Sequence, residues 1–204
     1  RAAHVAVVGI GGVGSWAAEA LARSGVNELT LIDLDHVSES NINRQIHALE
    51  ATMGQAKVLA MRDRIVQINP DCHVTCIEEF VEPGNWPELL PQGVSAVIDA
   101  CDQVKAKIAM AAWAMRSDKP FISCGAAGGK RHAHLVDIED LSRTTHDPLL
   151  AQVRYRLRKE FGAAREGKNV GVSCVFSRET VMAPDASCAV EGDGRFSGTR
   201  AALD

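Results

Sequence analysis

No part of this chain constrains its fold more than the stretch Gly9-Ile10-Gly11-Gly12-Val13-Gly14. It follows the apolar run Val5–Val8 and opens a segment of helical periodicity. This is G-x-G-x-x-G in the strand–turn–helix setting that gives the spacing its meaning. Without side chains at Gly9, Gly11, Gly12 and Gly14, backbone can approach a phosphate closely. The free N–H groups and dipole of the helix start favour an anion there. Asp33 stands at the end of the next strand, 19 residues past Gly14, where an acid accepts hydrogen bonds from a ribose hydroxyl. The alternative is a tight turn with no ligand. The fingerprint indicates a nucleotide without saying which, because NAD-dependent oxidoreductases carry it too.

Around this turn the chain alternates strand and helix. Val5–Val8, with glycine after it, reads as a buried parallel strand. Val13–Ser24 reads as a helix with Trp16, Ala17, Ala20 and Leu21 inward, Glu19 and Arg23 paired at i,i+4, and Gly25 as its stop. Leu29–Ile32 is the second strand. A polar segment, Asp35 to Asn43, leads to a helix over about Gly54–Ile68. Its apolar stripe is Val58, Met61, Ile65 and Ile68, and Asn69-Pro70 ends it. Val74–Ile77, Ala96–Ile98 and Phe121–Ser123 supply strands, His134–Ile138 another, and Val104–Met115 a helix with Val104, Ile108, Ala111, Ala112 and Met115 on one side. Asp147-Pro148 starts the last helix, Asp as N-cap and Pro at the first helical position. Its buried face is Leu150, Val153, Leu157 and Phe161. Such repeats predict a doubly wound, mostly parallel sheet with helices on both faces, a Rossmann-like α/β fold. Residues 1–182 are expected to form one domain. Residues 183–204, rich in Gly, Asp, Ser and Ala without periodicity, are expected to be a flexible tail.

At 204 residues, 46% hydrophobic and 24% charged, the chain suits one globular domain. No run approaches 18 apolar residues, so no membrane span is expected. The opening at Arg1, with strand residues at once and no methionine, reads as a trimmed start without a signal peptide. The six cysteines include no Cys-x-x-Cys pair. Cys72 and Cys76 would lie about 13 Å apart on one strand face, too far for a disulfide. Scattered thiols fit a reducing cytoplasm.

Two cations narrow the choice of nucleotide. Arg44, in Ser40-Asn41-Ile42-Asn43-Arg44-Gln45, and Lys57, thirteen residues later, both fall close to the phosphate turn. Each charge pair at about 4 Å is worth roughly 4 kcal/mol at an effective dielectric near 20, and fixed cations neutralise charge as pyrophosphate departs. Asp99-Ala100-Cys101-Asp102 ends the fourth strand on the ligand-binding edge of such a sheet. A carboxylate facing phosphates there requires a cation between them, and Mg²⁺ suits it. Singly, Arg44 and Lys57 also read as surface charges, and Asp99 or Asp102 as caps for the next helix.

Taken together, Gly-x-Gly-Gly-Val-Gly-Ser, Leu-Ile-Asp-Leu-Asp, Ser-Asn-Ile-Asn-Arg-Gln, Lys57 and Asp-Ala-Cys-Asp resemble the E1-like, ThiF/MoeB-type adenylating enzymes. The resemblance implies a nucleotide-binding fold of that type, ATP-Mg as cosubstrate, and a homodimer. It implies ribose contact by Asp33, phosphate contacts by Asn41, Arg44 and Lys57 with Asp35 nearby, and magnesium held by Asp102. The strings 12–23, Asn43-Arg-Gln-Ile-His-Ala-Leu49, Asp147-Pro-Leu149 and Cys174-Val-Phe-Ser177 are similar to the branch that dehydrates threonylcarbamoyladenosine in tRNA, over roughly residues 4–182. That branch implies adenylation of the carboxylate of N6-threonylcarbamoyladenosine at tRNA position 37, then cyclodehydration. It also brings in a cysteine desulfurase or sulfur-acceptor system as a partner.

Relatives that activate sulfur carriers usually hold zinc on two Cys-x-x-Cys pairs, so no structural zinc is expected here. The resemblance also implies an arginine contributed by a partner's N-terminal segment, and with Arg1 so close to the first strand that residue is not expected within the sequence given. Arg154, Arg156, Arg158 and Lys159, with Arg143 upstream, form the densest basic stretch of a chain whose net charge is -4. Arg143, Arg154, Arg158 and Lys159 are candidate tRNA contacts, against a plainly solvated helix face. Gly125–Gly129 with Lys130 and Arg131 either borders the substrate or is a flexible connection. His132 and His134 fall on one side of a strand without further metal ligands. Cys174 reads as core, and Cys188, the other thiol open to an acyl or persulfide role, lies in the expected tail. Three rivals remain: adenylation of the C-terminus of a ubiquitin-like sulfur carrier, an NAD-dependent oxidoreductase, and a non-catalytic nucleotide-binding subunit.

Overall fold

A computed structural model of the chain describes residues 3–165 and 167–182; the expected tail and Cys188 lie outside them. The described residues form β1 His4–Val8, α1 Gly14–Arg23, β2 Glu28–Ile32, α2 Lys57–Ile68, β3 His73–Ile77, β4 Ala96–Asp99, α3 Val104–Ala114, β5 Phe121–Cys124, β6 Val136–Asp140, α4 Pro148–Glu160 and β7 Ser173–Ser177. The sheet order is β3-β2-β1-β4-β5-β7-β6, parallel except for β6 against β7. The chain moves outward from β1 to β3 and then returns to β4 on the other side of β1. That reversal opens a crevice at the carboxyl ends of β1 and β4, where such sheets bind ligands.

β1 is buried along its whole length, which explains a run without polar alternation. Its alternate residues face two different cores. Val5 and Val7 join Leu29, Leu31, Val58, Met61 and Ile65 under α1 and α2, while Ala6 and Val8 join Val97, Ala106 and Met110 under α3. α3 is also packed by α4, through Ile108 and Ala111 against Leu150, Val153 and Leu157. Among the described residues, no helix is long and apolar enough to cross a membrane.

The structure corrects four local expectations. α1 turns Gly14, Ser15, Ala18, Glu19 and Ala22 inward, while Trp16 is 54% exposed. Small residues let the helix lie close to the sheet, and buried Glu19 is neutralised by Arg23 at 2.8 Å and Arg64 at 2.5 Å. α2 begins at Lys57 rather than Gly54, because Ala56 is extended and bridges His36. Residues Ala133–Leu135 form a 3₁₀ turn ahead of β6. The rings of His132 and His134, 5.6 Å apart between centroids, therefore do not share a strand face. Phe161 is the C-cap of α4 and exposed.

Asp147 caps α4 as expected, its Oδ1 accepting the Leu150 amide at 2.9 Å. Its Oδ2 accepts the Ala126 amide at 2.9 Å, which ties down the start of the Gly125–Gly129 segment. Further on, Lys130 donates to the carbonyls of His146 and Glu179, and the Arg131 and His132 amides donate to Glu179 Oε2. The segment is an anchored loop.

His47 is 1% exposed, and neither ring nitrogen has a hydrogen-bond partner. Burial first, then the positive charges of Lys57 and Arg64, depress its pKa from 6.5 to about 4. The folded protein therefore resists a proton that the unfolded chain accepts. Stability is present above pH 6.5, falls as pH drops through that value, and levels off below about 4. At roughly 1.4 kcal/mol per pH unit the loss approaches about 3 kcal/mol. Denaturant titrations between pH 4 and 7 should show this slope, and His47→Phe should flatten it; an unchanged slope in the variant contradicts the assignment.

Candidate nucleotide site

The glycine turn leaves β1 with Gly9 at φ 85°, a conformation that a side chain resists. The turn also has no room. A Cβ on Gly9 would meet Cys101 N at 2.7 Å, and one on Gly14 would meet the Gly9 carbonyl oxygen at 1.8 Å. Gly12 lies beside the Arg44 side chain, its Cβ position 3.4 Å from Arg44 Cγ. At Gly11 nothing comes within 4 Å, so that residue faces open space where a ligand can approach.

Asp33 braces the turn from the end of β2. Its Oδ2 accepts the Ile10 amide at 2.6 Å and its Oδ1 the Asp35 amide at 2.8 Å. Burial raises its pKa, opposed by those two amides and by Lys57. Lys57 is 6% exposed at the first position of α2, and its Nζ donates to Asp35 Oδ2 at 2.8 Å. Asn41 is buried, with Oδ1 accepting the Ser38 amide at 3.0 Å. Arg44 is exposed, its Nη1 donating to Ser40 O at 2.7 Å and Asn43 Oδ1 at 3.0 Å. Its carbonyl accepts the exposed Trp16 indole N–H at 3.1 Å, which links the Arg44 loop to α1. Neither Asp99 nor Asp102 caps α3, whose N-cap Gln103 makes no side-chain bond. Asp102 is exposed at the sheet edge. The glycine turn, Asp33, Asp35, Asn41, Arg44, Lys57 and Asp102 therefore all gather at the carboxyl ends of β1, β2 and β4.

A lone exposed carboxylate suits magnesium, which keeps several waters and takes one or two carboxylates plus phosphate oxygens. Among the described residues, no three His, Cys, Asp or Glu side chains converge to hold a metal. Among the described residues, the two thiols nearest the core of the β5–β7 region are not poised as nucleophiles. Burial pushes Cys174 up to about 12 and Cys124 up to about 11, far from the thiolate state that reactivity requires.

The basic residues do not join this edge. Arg143, Arg154 and Arg158, with Lys168 and Asn169, line a recess of about 360 Å³. It adjoins the turn after Asp140, which pairs with Ser173 where β7 begins, at the opposite end of the parallel strands. Sequence proximity put four cations on one helix, but the helix distributes them. Arg154 bonds the carbonyls of Leu141 and Thr144, both at 3.0 Å. Arg156 pairs with Glu160, and Lys159 stands over the Tyr155 ring. Sequence reasoning passed over Lys107, fully buried in α3, whose Nζ pairs with Asp99 Oδ2 at 2.9 Å. Burial alone would depress its pKa, but the Asp99 carboxylate outweighs that and holds it raised.

Comparison with known proteins agrees with this fold. The tRNA threonylcarbamoyladenosine dehydratase of Escherichia coli (strain K12) is 48% identical over 185 residues, covering 90% of this chain and 69% of that protein. The solved structure of E. coli TcdA in complex with ATP superposes with a TM-score of 0.86 at 48% identity, covering 89% of this chain and 75% of that one. The molybdopterin-synthase adenylyltransferase of Salmonella typhimurium is 40% identical over 125 residues, covering 61% of this chain and 49% of that protein. The family model described as the ThiF family matches residues 1–193. The chain belongs to the ThiF family.

Proposed function

We propose that this chain is an ATP-dependent dehydratase acting on N6-threonylcarbamoyladenosine at position 37 of tRNA. The substrate carboxylate attacks the α-phosphorus of ATP, the bond to the departing pyrophosphate breaks, and an acyl-adenylate forms. A nitrogen of the same side chain then attacks the acyl carbon, loses its proton and expels AMP, for a net loss of water. The protein's part is positioning and charge stabilisation. Gly9, Gly11, Gly12 and Gly14 present backbone to the phosphates, Asp33 serves the ribose, and Asn41, Arg44 and Lys57, the last held by Asp35, meet the phosphoryl oxygens. Asp102 would hold magnesium, which would offset the negative charge of the phosphates.

This reading rests on Lys57, buried at the head of α2 and paired with Asp35 just past the end of β2, and on Arg44, whose side chain lies beside Gly12 of the glycine turn. A triphosphate uses both cations, whereas a dinucleotide leaves them without a shared purpose. The rival reading, adenylation of a sulfur-carrier protein, rests on the shorter likeness to the adenylyltransferase. The lack of Cys-x-x-Cys pairs counts against it.

Residues 1–182 act as one adenylation domain in this scheme, in a cytoplasmic homodimer served by a sulfur-mobilising partner. Arg143, Arg158 and Lys159 touch the tRNA backbone, which would make binding fall with salt. Arg154 is the least available of the four, since it already bonds the turn before α4. The test is incubation with ATP-Mg and threonylcarbamoyl-modified tRNA. AMP release with loss of water from the nucleoside is the expected result. Pyrophosphate exchange stimulated by a carrier protein, and not by tRNA, would reverse the choice.

A further inference from the structure

Lys107 is 0% exposed in α3, and all three donors of an ammonium find acceptors. Its Nζ donates to Asp99 Oδ2 at 2.9 Å, Cys124 O at 2.7 Å and Ser123 Oγ at 3.3 Å. Ser123 Oγ also donates to Asp99 Oδ2 at 2.6 Å. The other Asp99 oxygen accepts the Cys101 amide at 3.3 Å and its thiol at 3.1 Å. A single buried carboxylate thus joins α3 and β5 on one side to the turn 100–102 on the other.

That turn is the surface on which the glycine turn rests. The Ala100 amide donates to Val8 O at 2.8 Å. The Cβ positions of Gly9 and Gly14 would meet Cys101 N at 2.7 Å and Ala100 Cβ at 3.2 Å. Asp102 is the next residue along. A buried ion pair is poor as a source of stability, because desolvation offsets attraction and well-packed apolar side chains often do as well. What such a pair supplies here is a fixed position for Asp99, and through it for everything the turn touches.

We propose that Lys107 is a positioning residue for the nucleotide's phosphate end, locking Asp99 so that the 100–102 turn holds Asp102 and the glycine turn in register. The proposal rests on the phosphate and magnesium roles given above to the glycine turn and Asp102. Lys107→Met alone strands a buried carboxylate and invites unfolding, so the informative variant is Asp99→Leu/Lys107→Met, which removes both charges together. ATP-Mg binding by calorimetry at a series of Mg²⁺ concentrations needs no tRNA. If the parent itself fails to bind ATP-Mg, the phosphate-site reading falls along with this one.

With a binding parent, the double variant should melt cooperatively yet bind ATP about tenfold or more weakly. Its requirement for Mg²⁺ should rise by a similar factor, the size typical when a partner that orients a metal-binding group is removed. A folded double variant with the parent's ATP affinity and Mg²⁺ dependence overturns the role of Lys107 and leaves the nucleotide site standing. Should the double variant not fold, Ser123→Ala decides. It removes one partner of Asp99 Oδ2 and keeps both charges; a raised Mg²⁺ requirement supports the proposal and an unchanged one overturns it.

Discussion

Gly14→Ala should abolish ATP binding and lower the stability of the whole domain. The added methyl carbon would lie 1.8 Å from the Gly9 carbonyl oxygen, 3.0 Å from its carbon and 3.2 Å from Ala100 Cβ. Two of these neighbours are backbone in the same turn, so no rotamer change relieves the contact. Overpacking usually costs 1–3 kcal/mol, and a clash with backbone belongs at or above the upper end, about 3 kcal/mol. For a chain of this size that is roughly 6–12 °C in melting temperature. Gly11→Ala is the matched control: its Cβ would meet nothing within 4 Å, so the melt should stay with the parent. Any ATP affinity lost at position 11 then measures how closely phosphate approaches. Thermal melts and ATP calorimetry on the two variants separate these effects, and a Gly14→Ala protein that melts and binds like the parent would refute the geometry of the turn.

What the sequence disclosed about this fold follows from how local the physics is. The glycine turn, the Asp33 position and the Asp147-Pro148 start are contiguous signals in which neighbouring residues determine the backbone, and each is found where the spacing put it. The inward face of α1 was misassigned because the helix is mostly small residues. Apolar counting brings Trp16 and Ala20 inward with Leu21, but only Leu21 packs against the core, and close approach to the sheet favours Gly14, Ser15, Ala18 and Ala22. Lys107 left no trace, since a lysine in an apolar helix resembles a surface charge until its partners are known. Asp99 lies eight residues away and Ser123 and Cys124 sit on a different strand. The basic stretch shows the converse. Adjacency along the chain suggests one patch, and Arg143, Arg154 and Arg158 do line one recess, but the antiparallel return of β6 puts it at the end of the sheet remote from the glycine turn.

Lys57→Met should leave the fold intact and slow AMP formation by a factor of 10² to 10³. The side chain is nearly buried, and its acceptor, Asp35 Oδ2, belongs to a carboxylate whose side chain remains 54% exposed. When the ammonium is removed, Asp35 turns to water at little cost, and Met fills much the same volume along the stem. The charge itself has no substitute. Shielded from solvent at the head of α2, it is screened far less than a surface cation. Its worth rises as negative charge accumulates on the departing pyrophosphate, and one such preorganised group typically supplies about 3–4 kcal/mol of transition-state stabilisation. Lys57→Arg restores the charge with a wider, planar head in a space that admits a compact one, so partial recovery is expected. Single-turnover AMP release with modified tRNA, run beside thermal melts, reads both quantities. A Lys57→Met protein that releases AMP within threefold of the parent rate would remove Lys57 from the phosphate site, and with it the convergence of cations on which the choice of ATP depends.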